Sequence, residues 1–150
     1  MTAYRTIVVG TDGSDSSYKA VEKAASLAGD ESAKLVIACA YYPTDERDLG
    51  AAADVLKGDA YQVRGSSPTD EILRTAKEKA TAAGATTVVL RPVVGAPVDA
   101  LLGLIDETQA DLLVVGNRGL NSLTGRLLGS VPSDIARKTA SDVLIVHTVR

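Results

Sequence analysis

At 150 residues the chain is long enough to bury an ordinary core without metals or disulfides, and its 45% apolar and 23% charged content is that of a folded domain rather than a disordered one. A net charge of -3 and a pI near 5.1 argue against nucleic acid as a partner, which needs clustered cations to displace counterions. No apolar run approaches the ~18 residues of a membrane span, so no membrane partner is expected either.

A single domain over residues 1–150 is expected. Aromatic residues are 3%, with neither Trp nor Phe, so the core must be built from Val, Leu, Ile and Ala. The first strand falls at 6–9, and 14–28 follows as a helix, with cap-type residues at its start, Ala20, Val21, Ala24, Ala25, Leu27 and Ala28 at helical spacing, and Gly29 as its stop. The second strand, 35–40, carries the single cysteine, Cys39, read as a buried core thiol. One cysteine cannot form an intramolecular disulfide, which fits a reducing, cytoplasmic setting.

The stretch 41–64 mixes turn residues with a brief helical piece at 49–56 and is read as an exposed excursion, with a lid as the alternative. Ser67-Pro68-Thr69-Asp70-Glu71 then opens a helix with a cap, a first-turn proline and acidic residues; Gly84 ends it. A strand at 87–94, a helix opening at Ala96-Pro97, a strand at 112–115, a short helix at 131–139 and a last strand at 143–147 complete the chain.

Strands apolar on both faces, alternating with helices, imply right-handed βαβ crossovers and an α/β fold. The expected architecture is an open, doubly wound, five-stranded parallel sheet of order 3-2-1-4-5, helices on both faces, as in Rossmann-like domains. That order sets the first and fourth strands side by side, and it accounts for a repeat: both end in Val-Val-Gly, at Gly10 and Gly116. The two glycines then flank one crevice.

A glycine at a strand's carboxyl end lets the backbone turn and approach a ligand closely, and a helix N-terminus offers free amides to an anion. Gly116 and Gly119 suit the turn. Gly129, Ser130 and Val131 sit where the fourth helix begins, with Ser130 as its cap or as a hydroxyl donor to a phosphate. Neither a P-loop nor Gly-x-Gly-x-x-Gly occurs.

The combined spacing Gly116-x2-Gly119-x9-Gly129-Ser130 resembles the nucleotide-binding signature of the universal stress protein family. Thr6 to Ser14, Val94-Gly95-Ala96-Pro97, Ala110 to Gly116 and Asp142 to His147 are similar to further stretches of that family, so the resemblance spans the chain. It implies an adenine-nucleotide-binding α/β domain, usually a homodimer through the last strand; many members bind ATP, and some actinobacterial members bind cyclic AMP.

Carried over by position, the resemblance places Gly10, Thr11 and Asp12 beside ribose and adenine, Ala40 against the adenine, and Gly116, Gly119, Gly129, Ser130 and Val131 around the phosphates. Asp12 either accepts ribose hydroxyls or holds a metal, or it forms an Asx turn. Asn117 and Arg118 fill the loop's variable positions, Arg118 as a phosphate partner or as solvated surface. Pro132 removes one amide from the first helical turn and so favours a compact phosphate, as in AMP or cyclic AMP, over a triphosphate. Magnesium enters only if ATP is the ligand.

The only histidine, His147, is read as a paired strand residue. With no Ser-His-Asp or Cys-His arrangement and no metal-ligand spacing in the sequence, the expected function is a nucleotide sensor or sequestering protein. The alternatives are a slow ATP hydrolase or self-phosphorylating switch, and a scaffold with an empty site. The alternating apolar residues of the last strand suit pairing with a second copy.

Overall fold

The computed structural model describes residues 3–42, 68–117, 135 and 137–148. Five strands, β1 (Thr6–Gly10), β2 (Lys34–Tyr41), β3 (Thr87–Val94), β4 (Leu112–Gly116) and β5 (Asp142–Val146), form one sheet of order β3-β2-β1-β4-β5. Every pairing is parallel. The expected fold class and strand order are both observed.

Helices α1 (Asp15–Glu31) and α2 (Pro68–Ala83) cover one face of the sheet, and α3 (Pro97–Thr108) covers the other. Alternation along the strands divides the core accordingly. Ile7, Val9, Leu35, Ile37 and Val114 point to the α1–α2 side with Ala20, Ala24 and Leu73, while Val8, Val36, Leu113 and Val115 meet Leu101, Leu104 and Ile105 of α3. Ile135, fully buried, adds to the α3 side. All five residues of β4 are buried, as a central strand covered on both faces requires. Cys39 is a buried free thiol in the α1–α2 layer; burial, with the charge of Asp12, pushes its pKa up to about 11.

The capping chemistry is largely as the sequence predicts. Ser14 is the N-cap of α1, its side chain accepting the Ser17 amide at 3.1 Å, a contribution of about 1 kcal/mol. Gly84, at φ +121°, ends α2, and Gly95, at φ +128°, turns the chain from β3 into α3.

Several strand ends shift by one residue, and two boundaries carry a structural reason or consequence. Helix α1 does not stop at Gly29 but continues to Glu31 and closes at Ser32, in the left-handed region at φ 55°. Gly29 serves packing instead: a β-carbon there would lie 2.5 Å from the carbonyl oxygen of Gly84. The last strand ends at Val146, leaving His147 exposed just beyond it. The 49–56 piece and the opening of the helix expected at 131–139 lie outside the described residues; Ile135, Arg137 and Lys138 are helical, and Thr139 N–H donates to Ile135 O at 2.9 Å.

Candidate functional site

The cleft arises from a mismatch in strand pairing. β1 pairs with β4 only as far as Val9 opposite Val114. Beyond that point β1 stays with β2, through Gly10 opposite Ala38 and a Thr11 N–H bond to Ala38 O at 2.9 Å, whereas β4 stays with β5 through Gly116 opposite Val146. A crevice opens where the two strands part, at their carboxyl ends, where open α/β sheets bind ligands.

Of the residues singled out in the sequence, Gly10, Thr11, Asp12, Ala40 and Gly116 all line this cleft. Ala38, Pro97, Leu101 and Val115 add apolar surface, and Ser17 adds a hydroxyl. Asn117 is held elsewhere: its side-chain oxygen accepts the amide and hydroxyl of Thr148, each at 3.0 Å. Arg118, Gly119, Gly129, Ser130, Val131 and Pro132 lie outside the described residues.

The β1–α1 turn is a closed set of hydrogen bonds. Ser17 hydroxyl donates to Ser14 O at 2.9 Å, and the Thr11 and Ser17 hydroxyls lie 2.7 Å apart; Ser17 Oγ therefore accepts the Thr11 proton, while Thr11 Oγ1 accepts the Gly13 amide at 3.2 Å. Both hydroxyl residues are buried. Asp12 Oδ1 accepts the Ser14 amide at 2.9 Å, which is the Asx turn the sequence allowed, and Asp12 itself remains exposed at the cleft wall. Burial works to raise the Asp12 pKa, but bonds from the Ser14 hydroxyl and amide outweigh it and hold the carboxyl below its ordinary value. It stays a carboxylate near neutrality, an acceptor suited to vicinal hydroxyls.

Sequence reasoning missed the apolar lining of Ala38, Pro97, Leu101 and Val115 and one polar cleft residue, Ser17. Its signal was faint: it lies one turn beyond the Ser14 cap, in Ser14-Asp15-Ser16-Ser17, on the side of α1 that faces the β1 turn. Thr148 was missed too, because its contacts join positions 31 and 132 residues apart.

The fold and cleft define an α/β domain with a crevice at its switch point, lined by apolar side chains together with hydroxyls and a carboxylate. The chain belongs to the Universal stress protein family, whose profile matches residues 3–147. It is 60% identical to Universal stress protein Rv1636 of Mycobacterium tuberculosis (strain H37Rv) over 148 residues, 99% of each chain. A crystal structure of a universal stress protein in complex with cAMP is 58% identical, with a TM-score of 0.77, covering 99% of this chain and 100% of that one. The universal stress protein from Archaeoglobus fulgidus in complex with dAMP, at 23% identity and a TM-score of 0.64 over 95% of this chain and 97% of that one, shares the fold.

Proposed function

We propose that this chain binds an adenine nucleotide, cyclic AMP foremost, in the β1–β4 cleft, and acts in stress signalling as a nucleotide sensor or sequestering protein inside the cell. The observation that carries this reading is the cleft itself, bounded by Gly10 and Gly116 with Asp12 and Ser17 on its wall, in a chain 58% identical to a protein crystallised with cAMP. Its lining fits the ligand class. A flat purine suits the apolar surface of Ala38, Ala40, Pro97, Leu101 and Val115. Ribose hydroxyls suit the Asp12 carboxylate.

The test is a calorimetric titration of nucleotide-stripped protein with cyclic AMP, AMP and magnesium-ATP. Cyclic AMP is expected to bind most tightly and, at a hundredfold excess over its Kd, to stabilise the fold by about 2.7 kcal/mol. Tighter binding of magnesium-ATP would make the chain an ATP-dependent switch, and no binding of any of the three would refute nucleotide recognition.

The chain works, on this reading, as one domain paired with a second copy through β5. That strand is an edge of the sheet, its Ile145 is an exposed apolar residue, and no proline interrupts it. Ile145→Lys is expected to move a micromolar sample from dimer to monomer in sedimentation velocity. A parent that sediments as a monomer would remove the proposed interface.

A further inference from the structure

We infer that Thr148 is a positioning residue for the nucleotide cleft, clamping the end of β4 to the start of α1. This rests on the nucleotide reading of that cleft. The two cleft walls need such a tie: with β1–β4 pairing finished at Val9 and Val114, no strand hydrogen bond joins the Gly10–Asp12 wall to the Gly116 wall.

Thr148 spans the gap from behind. Its amide and its hydroxyl both donate to Asn117 Oδ1, at 3.0 Å each. Two donors on one atom fix the carboxamide with its oxygen toward Thr148. Because the Thr148 proton is committed to Asn117, the Ser16 hydroxyl is the donor in the contact between Ser16 and Thr148. The result is a directed chain, Ser16 to Thr148 to Asn117, running from the first turn of α1 to the residue after β4. Ser16 and Thr148 are 5% and 4% exposed, so water does not compete for these bonds.

Two further contacts seat Thr148. Lys19 Nζ donates to its carbonyl at 3.4 Å. Its methyl fills the space left by the missing side chain of Gly116, 3.3 Å from where a β-carbon would stand. The residue that backs the cleft glycine also holds the polar chain, so a shift of Thr148 moves the Gly116 wall relative to Asp12 and Ser17.

The experiment compares cyclic AMP affinity by calorimetry for the parent, Thr148→Val, Thr148→Ser and Thr139→Val. Thr139 bonds the Ser141 hydroxyl at 2.8 Å and its amide at 3.1 Å, ahead of β5 and away from the cleft, and so reports a generic hydroxyl loss. Thr148→Val keeps shape but leaves Ser16 and Asn117 each short of a partner, and is expected to bind about tenfold more weakly. Thr148→Ser is expected within about threefold of the parent and Thr139→Val within about twofold. The inference is overturned if Thr148→Val binds within twofold of the parent, if Thr139→Val weakens binding equally, or if serine fails to restore it. A parent that binds no cyclic AMP refutes the nucleotide reading instead, and amide hydrogen exchange then decides the clamp: faster exchange at Gly116 and Asn117 in Thr148→Val but not Thr148→Ser supports it, and unchanged exchange overturns it.

Discussion

Replacing Gly10 by threonine is expected to weaken cyclic AMP binding by about thirtyfold or more, a loss of about 2 kcal/mol, with the thermal midpoint within a few degrees of the parent. Gly10 closes β1 and lines the cleft, and its φ is not positive, so a β-branched residue meets no backbone strain there. A β-carbon would lie 3.2 and 3.3 Å from the two terminal carbons of Leu101. Those are the far ends of a flexible side chain and can give way by a few tenths of an ångström. The hydroxyl and methyl of threonine then occupy space the nucleotide needs, while the strand's hydrogen bonds are untouched.

Gly116→Ala offers an instructive contrast. Sequence reasoning treats the two glycines as equivalent sides of one crevice, but the β-carbon at 116 would meet Thr148 at 3.3 Å and Ala20 at 3.6 Å. It presses on the clamp instead of entering the cleft. Its effect on affinity is therefore expected to be smaller than that of Gly10→Thr. Calorimetric titration beside thermal melts checks both, and two folded variants that bind like the parent would remove the cleft from the function.

Gly29→Ala is expected to destabilise the protein by about 1–2 kcal/mol, although alanine is the better helix former by about 1 kcal/mol. The packing decides the sign. Inside α1, the new β-carbon would stand 2.5 Å from the Gly84 carbonyl oxygen and 3.0 Å from its carbon. Both partners are backbone, so relief requires the ends of α1 and α2 to separate, at a cost in the upper part of the roughly 1–3 kcal/mol range for overpacking. Net destabilisation of that size lowers the midpoint by about 3–6 °C in a chain of this length. Gly103, in α3, has nothing within 4 Å of its would-be β-carbon, so Gly103→Ala is expected to raise stability where Gly29→Ala lowers it. A rise for both would show that the two helices do not meet this closely.

Much of the fold was legible because each strand is a short, β-branched run and each helix carries its own punctuation. The repeated Val-Val-Gly fixed the neighbours in the sheet, since only an order pairing β1 with β4 puts both glycines at one opening. Boundaries were less legible. Gly29 carries the usual mark of a helix end but answers to Gly84, 55 positions away, which no local pattern reveals. In the site, Gly10, Asp12 and Gly116 could be placed because strand-end chemistry and family resemblance agree on them, and Thr11 and Ala40 through the resemblance alone. Ser17 and Thr148 could not, since one looks like an ordinary first-turn serine and the other like a trailing terminal residue. Asn117 directly follows β4, yet its oxygen is committed to Thr148.

The sheet has two edges, and they are unlike. β5 offers an uninterrupted backbone, whereas β3 carries Pro92 at its sixth position, opposite Cys39 of β2. Proline supplies no N–H and is one of the features that blunt an edge against further pairing. A molecule adhesive at both margins would grow into an endless ribbon of stacked copies. If two copies pair through β5, as proposed, the closed β3 margin ends assembly at two, where a second adhesive margin would let it continue.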